Sequence, residues 1–228
     1  MDMPTADTAA EAHLPKSAYS RARVAADPKT AGREAGLATV HTNLLALLRQ
    51  RDDLRELEQS NSALLDAADE AVDDDVEGFE LHLLGAVKKN RDNPKYRRYF
   101  PDGLRAITAA DPRKEEPELV GDMLTLMAED GNDPEIGEAV RTWSPKLTTS
   151  LTRVVDADEA LTTTEKALAM IQDVKLPGLL ANWRDEYKKL EGALLMVYPT
   201  DPKRVARFFK PFRKNRKISK PQTPSTTP

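Results

Sequence analysis

Residues 40–87 read VHTNLLALLRQRDDLRELEQSNSALLDAADEAVDDDVEGFELHLLGAV, and residues 147–194 read LTTSLTRVVDADEALTTTEKALAMIQDVKLPGLLANWRDEYKKLEGAL. Laid over one another at a shift of 107 residues, the two stretches align without a gap. Val40 falls on Leu147, Leu44 on Leu151, Leu47 and Leu48 on Val154 and Val155, and Leu54 on Leu161. Further along, Leu64 falls on Ile171, Val72 on Leu179, Val76 on Trp183, Leu83 on Leu190 and Gly85 on Gly192, while Glu58 and Asp66 meet Glu165 and Asp173. Apolar residues at steps of three and four line one face of a helix. Any two amphipathic helices set in phase would match leucine to leucine for that reason alone.

The flanks carry the stronger signal. Asn93-Pro94-Lys95-Tyr96-Arg97-Arg98-Tyr99-Phe100-Pro101 follows the first stretch, and Asp201-Pro202-Lys203-Arg204-Val205-Ala206-Arg207-Phe208-Phe209-Lys210-Pro211 follows the second. Both run Asn or Asp, Pro, Lys, a short spacer, Arg, two aromatics and Pro, a pattern that helix periodicity does not generate. Asp27-Pro28 and Asp133-Pro134 supply matching helix starts, with the acid as N-cap and proline in the first turn.

The expectation is an all-α fold: an elongated antiparallel helical bundle built from two tandem copies of a broken long-helix or helical-hairpin unit, related by a pseudo-twofold. The stripe from Leu37 to Val72 predicts a helix of roughly 35 residues, or roughly 50 Å, with Arg51, Glu58 and Asn61 as polar breaks that fix register. Asp74 with Glu77 resembles a capping box, and Leu176-Pro177-Gly178 is a breaker at the corresponding place. A break there would let each copy fold back as a hairpin, with a second helix from Val76 to Asn90 in the first copy and one from Pro177 to Val197 in the second. One kinked helix fits as well, because Ala68, Val72, Val76, Phe79 and Leu83 keep the apolar phase. Ser144-Pro145 has the form of an N-cap and first-turn proline. The predicted division is a flexible arm over 1–30 with a short turn of helix near Ser17 to Ala26, a first repeat over 31–101, a connector with short helices over 102–132, a second repeat over 133–211 and a disordered basic, Ser/Thr/Pro-rich tail over 212–228.

Aromatics are 5% of the chain and no stretch alternates in the strand period, so a sheet is not expected. The absence of cysteine excludes disulfides, thiolate chemistry and Cys-based zinc sites. Met1 to Thr30 holds no apolar run of signal-peptide length and no run approaches a membrane span, so a soluble cytoplasmic protein is expected. Of the three histidines, His13 sits in the arm, His41 beside the core stripe and His82 among leucines. Phe79 stands three residues before His82 and Ala38 three before His41, so the Glu-x-x-His signature of a di-iron bundle is missing. Asp73-Asp74-Asp75 lacks the alternating ligands and glycine of a calcium loop, and no phosphate-binding, nucleophile-elbow or dinucleotide motif occurs. No catalytic residue, metal site, cofactor or small-molecule substrate is assigned, and a non-enzyme is expected.

Charge supplies the functional signal. Beyond Asp201 there is no acid, and Lys203, Arg204, Arg207, Lys210, Arg213, Lys214, Arg216, Lys217 and Lys220 carry nine positive charges. The chain's net −4 therefore leaves −13 on residues 1–201. An acidic body with a basic tail predicts electrostatic contact with a polyanion or with another copy. Phe208, Phe209 and Phe212 lie among these cations. They could stack on unpaired bases or enter an anionic membrane surface, or they could plug the bundle end as Tyr96, Tyr99 and Phe100 would in the first copy. The plug is the expected role, with Arg213 to Lys220 left for binding. The function read from these features is a structural or interaction protein, a scaffold or adaptor, that associates with itself or a protein partner through its basic tail. The alternative is a nucleic-acid-binding accessory protein using the Lys/Arg/Phe tail, with a membrane surface ranked behind both.

Overall fold

A computed structural model describes residues 3–5 and 8–212, and every regular element among them is helical, with no strand. In chain order, a short 3-10 turn at Ala10–Ala12 leads into α1 (His13–Ala25), followed by α2 (Ala35–Ala86), α3 (Pro94–Tyr99), α4 (Arg105–Thr108), α5 (Glu116–Asp130) and α6 (Gly137–Ala169). A π-helical turn over Met170–Lys175 joins α6 to α7 (Leu176–Val197), and α8 (Pro202–Ala206) follows.

The break expected near Asp74 does not occur: α2 runs unbroken for 52 residues. No glycine or proline lies between Gly36 and Gly78, so nothing local interrupts the hydrogen-bond ladder. The carboxylates of Asp66, Glu70, Asp74 and Glu77 recur at helical spacing and are exposed, while Val72, Val76, Phe79 and Leu83 are wholly buried. Asp74 and Glu77 are thus a pair on the outer face and not a cap. Their repulsion costs a few tenths of a kcal/mol, against about 1.5–3 kcal/mol for each large apolar side chain buried below.

The second copy is equally continuous from 137 to 197, which corrects the hairpin there too. Ser144 is not an N-cap, because Pro145 lies inside α6. Pro177 lacks an N–H and its ring presses on the carbonyl four residues back. The wide turn at Met170–Lys175 lies directly ahead of it and lets the helix carry on. The N-terminal arm is corrected in extent: in place of a short turn near Ser17 to Ala26, α1 is a 13-residue helix whose His13, Ser17, Ser20 and Val24 are buried along one face.

The chain forms two compact units, one from residues 1–51 and 170–228 and one from residues 52–169. This division cuts across the one expected from the repeats. The core of the first unit gathers Val24 of α1, Leu37, Val40, Leu44 and Leu48 of α2, Trp183, Tyr187, Leu190 and Leu194 of α7, and Val205, Phe208 and Phe209 at the end of the described chain. Trp183 stacks on Tyr187 at 4.4 Å, and Phe209 meets Tyr187 edge-on at 5.0 Å. The second unit is filled by Val72, Val76, Phe79 and Leu83 of α2, Val120, Met123 and Met127 of α5, and Val140, Leu147 and Val154 of α6. Tyr99 and Phe100 close it against Phe79, at 5.1 and 5.9 Å. Asn61 fixes register within this unit, its amide donating to Thr164 Oγ1 at 2.9 Å and to the Ala160 carbonyl at 3.2 Å.

Candidate polyanion-binding face

Local chemistry places α8. The Asp201 carboxylate caps it by accepting the Arg204 N–H at 2.8 Å, and Pro202 occupies its first turn. Val205, Phe208 and Phe209 turn inward and are buried, which leaves Lys203, Arg204, Arg207 and Lys210 exposed. The same short stretch therefore anchors itself through aromatics and presents cations outward. Phe212 is half-buried against His13 and Trp183, at 5.6 and 5.9 Å.

Helix α1 lies alongside. Tyr19 Oη donates to the Arg207 carbonyl at 3.3 Å, and Lys16 Nζ donates to the Pro211 carbonyl. The exposed Arg23 guanidinium sits 5.9 Å from the Phe208 ring centre, and Lys16 Nζ sits 5.2 Å from that of Phe212. An open depression of about 540 Å³ results, bordered by Arg23, Asp27, Asp201, Arg204, Arg207 and Phe208.

Asp27 is occupied within this face. It accepts Tyr198 Oη at 2.6 Å, Arg204 Nη2 at 3.0 Å and the Lys29 N–H at 3.1 Å. The Tyr198 hydroxyl and then the Lys29 amide hold its carboxyl below the usual range, and Asp27 in turn raises Arg204 and Tyr198. Arg204 is committed further by lying 4.2 Å from the Tyr198 ring centre. By contrast, Arg23, Lys203, Arg207 and Lys210 have no carboxylate partner among the described residues. Arg213, Lys214, Arg216, Lys217 and Lys220 lie outside the described residues.

Net charge differs sharply between the two units. Residues 1–51 and 170–228 hold 20 Lys and Arg against 10 Asp and Glu, and residues 52–169 hold 14 against 28, which together account for the chain's 34 and 38. The units are therefore +10 and −14. The portion of the first unit before Pro202 holds 11 cations against 10 anions, so the acidity expected of the whole body resides in the second unit.

The remaining aromatics, Tyr96, Tyr99 and Phe100, belong to the second unit and are buried there. Tyr96 donates its hydroxyl to Glu80 at 2.7 Å and Tyr99 to Asp130 at 2.8 Å. Burial and the Glu80 carboxylate push the Tyr96 hydroxyl up to about 12.

Among the described residues, two further groups of polar side chains cluster away from this face. Ser17 Oγ lies 2.7 Å from His41 Nδ1, but Ser17 is fully buried and also bonds the His13 carbonyl at 3.0 Å. Burial lowers the pKa of both His13 and His41. In the second unit Glu116, 1% exposed, lies against Asp69 and Asp73, and burial with these carboxylates pushes it up to about 8. Asp73 is pushed up to about 6 by burial and then by Asp69 and Glu77. Among the described residues no group of three or more His, Cys, Asp or Glu is placed to hold a metal ion.

Sequence reasoning placed a turn of helix near Ser17 to Ala26 but missed the functional placing of Lys16 and Arg23 and the contacts of Asp27 with Tyr198 and Arg204. The available signal was the spacing of His13, Ser17, Ser20 and Val24, which marks a helix face made of small and polar residues. No protein family, no curated protein and no solved structure matches the chain.

Proposed function

We propose that the chain is a non-enzymatic interaction protein, a scaffold or adaptor, whose first unit grips an acidic partner through Arg23, Lys203, Arg207 and Lys210. The carrying observation is that these four exposed cations lie around α8 and α1 with no carboxylate partner, on a base pinned by Phe208 and Phe209. The cations beyond Phe212 extend the same charge. The burial of Phe208 and Phe209 favours an acidic protein surface over a single-stranded nucleic acid, because neither ring is presented for base stacking. No described helix is long and apolar enough to cross a membrane, and the lack of cysteine fits a cytoplasmic setting.

The scaffold reading also includes duplication with a pseudo-twofold. The 107-residue shift carries Gly36 onto Trp143 and Phe79 onto Glu186. In the first unit a Cβ on Gly36 would meet the Glu186 carboxylate, and in the second a Cβ on Gly78 would meet the Trp143 ring. Gly78 itself falls on Asp185, so the two close approaches differ by one residue in register, and it is their likeness alone that supports the duplication reading. Asp27 pairs with Arg204 of α8 at 3.0 Å and Asp133 with Lys95 of α3 at 2.7 Å, with Lys203 and not Arg204 at the place of Lys95. On that reading each unit would combine the front half of one copy with the back half of the other.

The test is titration of a fluorescent polyglutamate peptide and of a single-stranded oligonucleotide at 50 and 200 mM salt. Polyglutamate should bind with a steep salt dependence, and R23Q/K203Q/R207Q should weaken it more than tenfold. Unchanged binding by that variant would overturn the assignment of the face. Salt-dependent binding to the oligonucleotide alone would replace the acidic partner with a nucleic acid.

A further inference from the structure

Helix α2 carries a ridge of charge opposite in sign to the basic face. Asp66, Glu70, Asp74 and Glu77 stand at i, i+4, i+8 and i+11, all exposed, so they fall on one side of the helix over about 16 Å. Asp74 faces Lys146 and Arg153 across an open depression, which leaves Asp66, Glu70 and Glu77 as the outward charge. None of those three has a cation partner among the described residues. Beneath the ridge, Asp69 and Asp73 lie against the buried Glu116.

Building on the acidic-partner reading above, we propose that the partner is a second copy of this chain, whose α2 ridge at Asp66, Glu70 and Glu77 docks on the basic face at Arg23, Lys203, Arg207 and Lys210. Charge complementarity carries the assignment. One molecule holds a unit of +10 and a unit of −14, and each presents exposed charges that its own described residues leave unpaired. The spacing agrees as well, since Lys203 and Arg207 are four residues apart, as are Asp66 and Glu70. Two different surfaces meet in such a contact, so it is heterologous. Each added copy offers a fresh ridge and a fresh basic face, and association continues unless the geometry closes a ring. Salt screens charges separated by more than about 8–10 Å at physiological strength, so the assembly is held at low salt and released at high salt.

The experiment is sedimentation velocity of the full chain across a concentration series at 25 and 500 mM salt. Wild-type protein should at least double its weight-average mass with concentration at 25 mM and remain monomeric at 500 mM. R23Q/K203Q/R207Q and D66N/E70N/E77N should each remain monomeric in both buffers. Mixed in equal amounts at 25 mM, they should form a 1:1 dimer and nothing larger, because each supplies one intact face. A wild-type chain that is monomeric at 25 mM salt overturns the proposal without recourse to any variant. So does association that survives both sets of substitutions, or a mixture that stays monomeric while both variants keep wild-type helical circular dichroism. The polyglutamate titration separates the two levels: binding of the peptide without self-association removes the second copy but leaves the acidic partner, and loss of both removes both.

Discussion

Glu116 shows how one buried group sets a pH response. Its carboxyl ordinarily titrates near 4.5, and burial, with Asp69 and Asp73 alongside, moves it up to about 8. The folded chain therefore holds a proton between pH 4.5 and 8 that the unfolded chain has released. This contribution to stability is full below 4.5 and is lost as pH rises through 8; Asp73, pushed up to about 6, acts in the same direction. Urea midpoints of the wild type should fall between pH 5 and pH 9. E116Q should flatten that fall and be more stable at pH 9 by on the order of 1–3 kcal/mol, and an unchanged slope in E116Q would assign the effect elsewhere. Two glycines of α2 offer a steric counterpart. A Cβ on Gly78 would lie 2.1 Å from Trp143 Cη2, whereas one on Gly85 would meet nothing within 4 Å. G78A should cost about 1–3 kcal/mol through overpacking, while G85A should stabilise by about 0.5–1 kcal/mol because alanine loses less backbone freedom in a helix. Equal effects of the two substitutions in thermal melts would contradict the Trp143 packing.

At the scale of elements, D74P separates an unbroken α2 from a hairpin. Proline at 74 removes an N–H and its ring meets the Glu70 carbonyl, so a continuous helix should lose about 3 kcal/mol or more. A turn at that point would absorb the substitution, and an unchanged urea midpoint would speak for it. The sequence resembled a turn there because the residues that cap helices also solvate them. Asp74 and Glu77 have capping-box spacing, and only the full burial of Val72, Val76 and Phe79 on the opposite side shows that the ladder runs on. Pro177 misled for a related reason, since the preceding π turn accommodates it. The end of α2 was hidden differently: Lys88 and Lys89 adopt left-handed backbone, φ 55° and 61°, where a glycine would have marked the stop. What was legible rested on local chemistry. Asn93 and Asp201 accept the amides of Lys95 and Arg204 at 2.9 and 2.8 Å, and each is followed by its proline. The basic face was legible only in its α8 half. Its other half, Arg23, is separated from Phe208 by most of the chain and sits on a helix whose inward side carries serines where leucines would have announced it.

For the whole molecule, the path of the chain makes the two units unequal. Core residues of the second unit run from Leu65 to Leu161 in one continuous segment. The first unit closes only when Ala10 to Leu48 meets Trp183 to Phe209, across more than a hundred intervening residues. Loop closure of that kind must be complete before its contacts contribute, and it slows folding. A fragment spanning 52–169 should therefore be helical and melt cooperatively by itself, because it contains all of its own core. Residues 1–51 alone should stay unfolded, since the face of α2 from Leu37 to Leu48 would lack Trp183, Tyr187 and Leu190. In native-state hydrogen exchange of the full chain, amides of α5 and of α2 around Val76 should then be the last to exchange, and those of α1 and α8 should open earlier. Earlier exchange throughout 52–169 than in α1, or a 52–169 fragment without a cooperative transition, would show that the continuous unit depends on the discontinuous one. The charge difference sharpens the expectation: at −14 the isolated fragment repels itself, so its melting temperature should rise as salt is added.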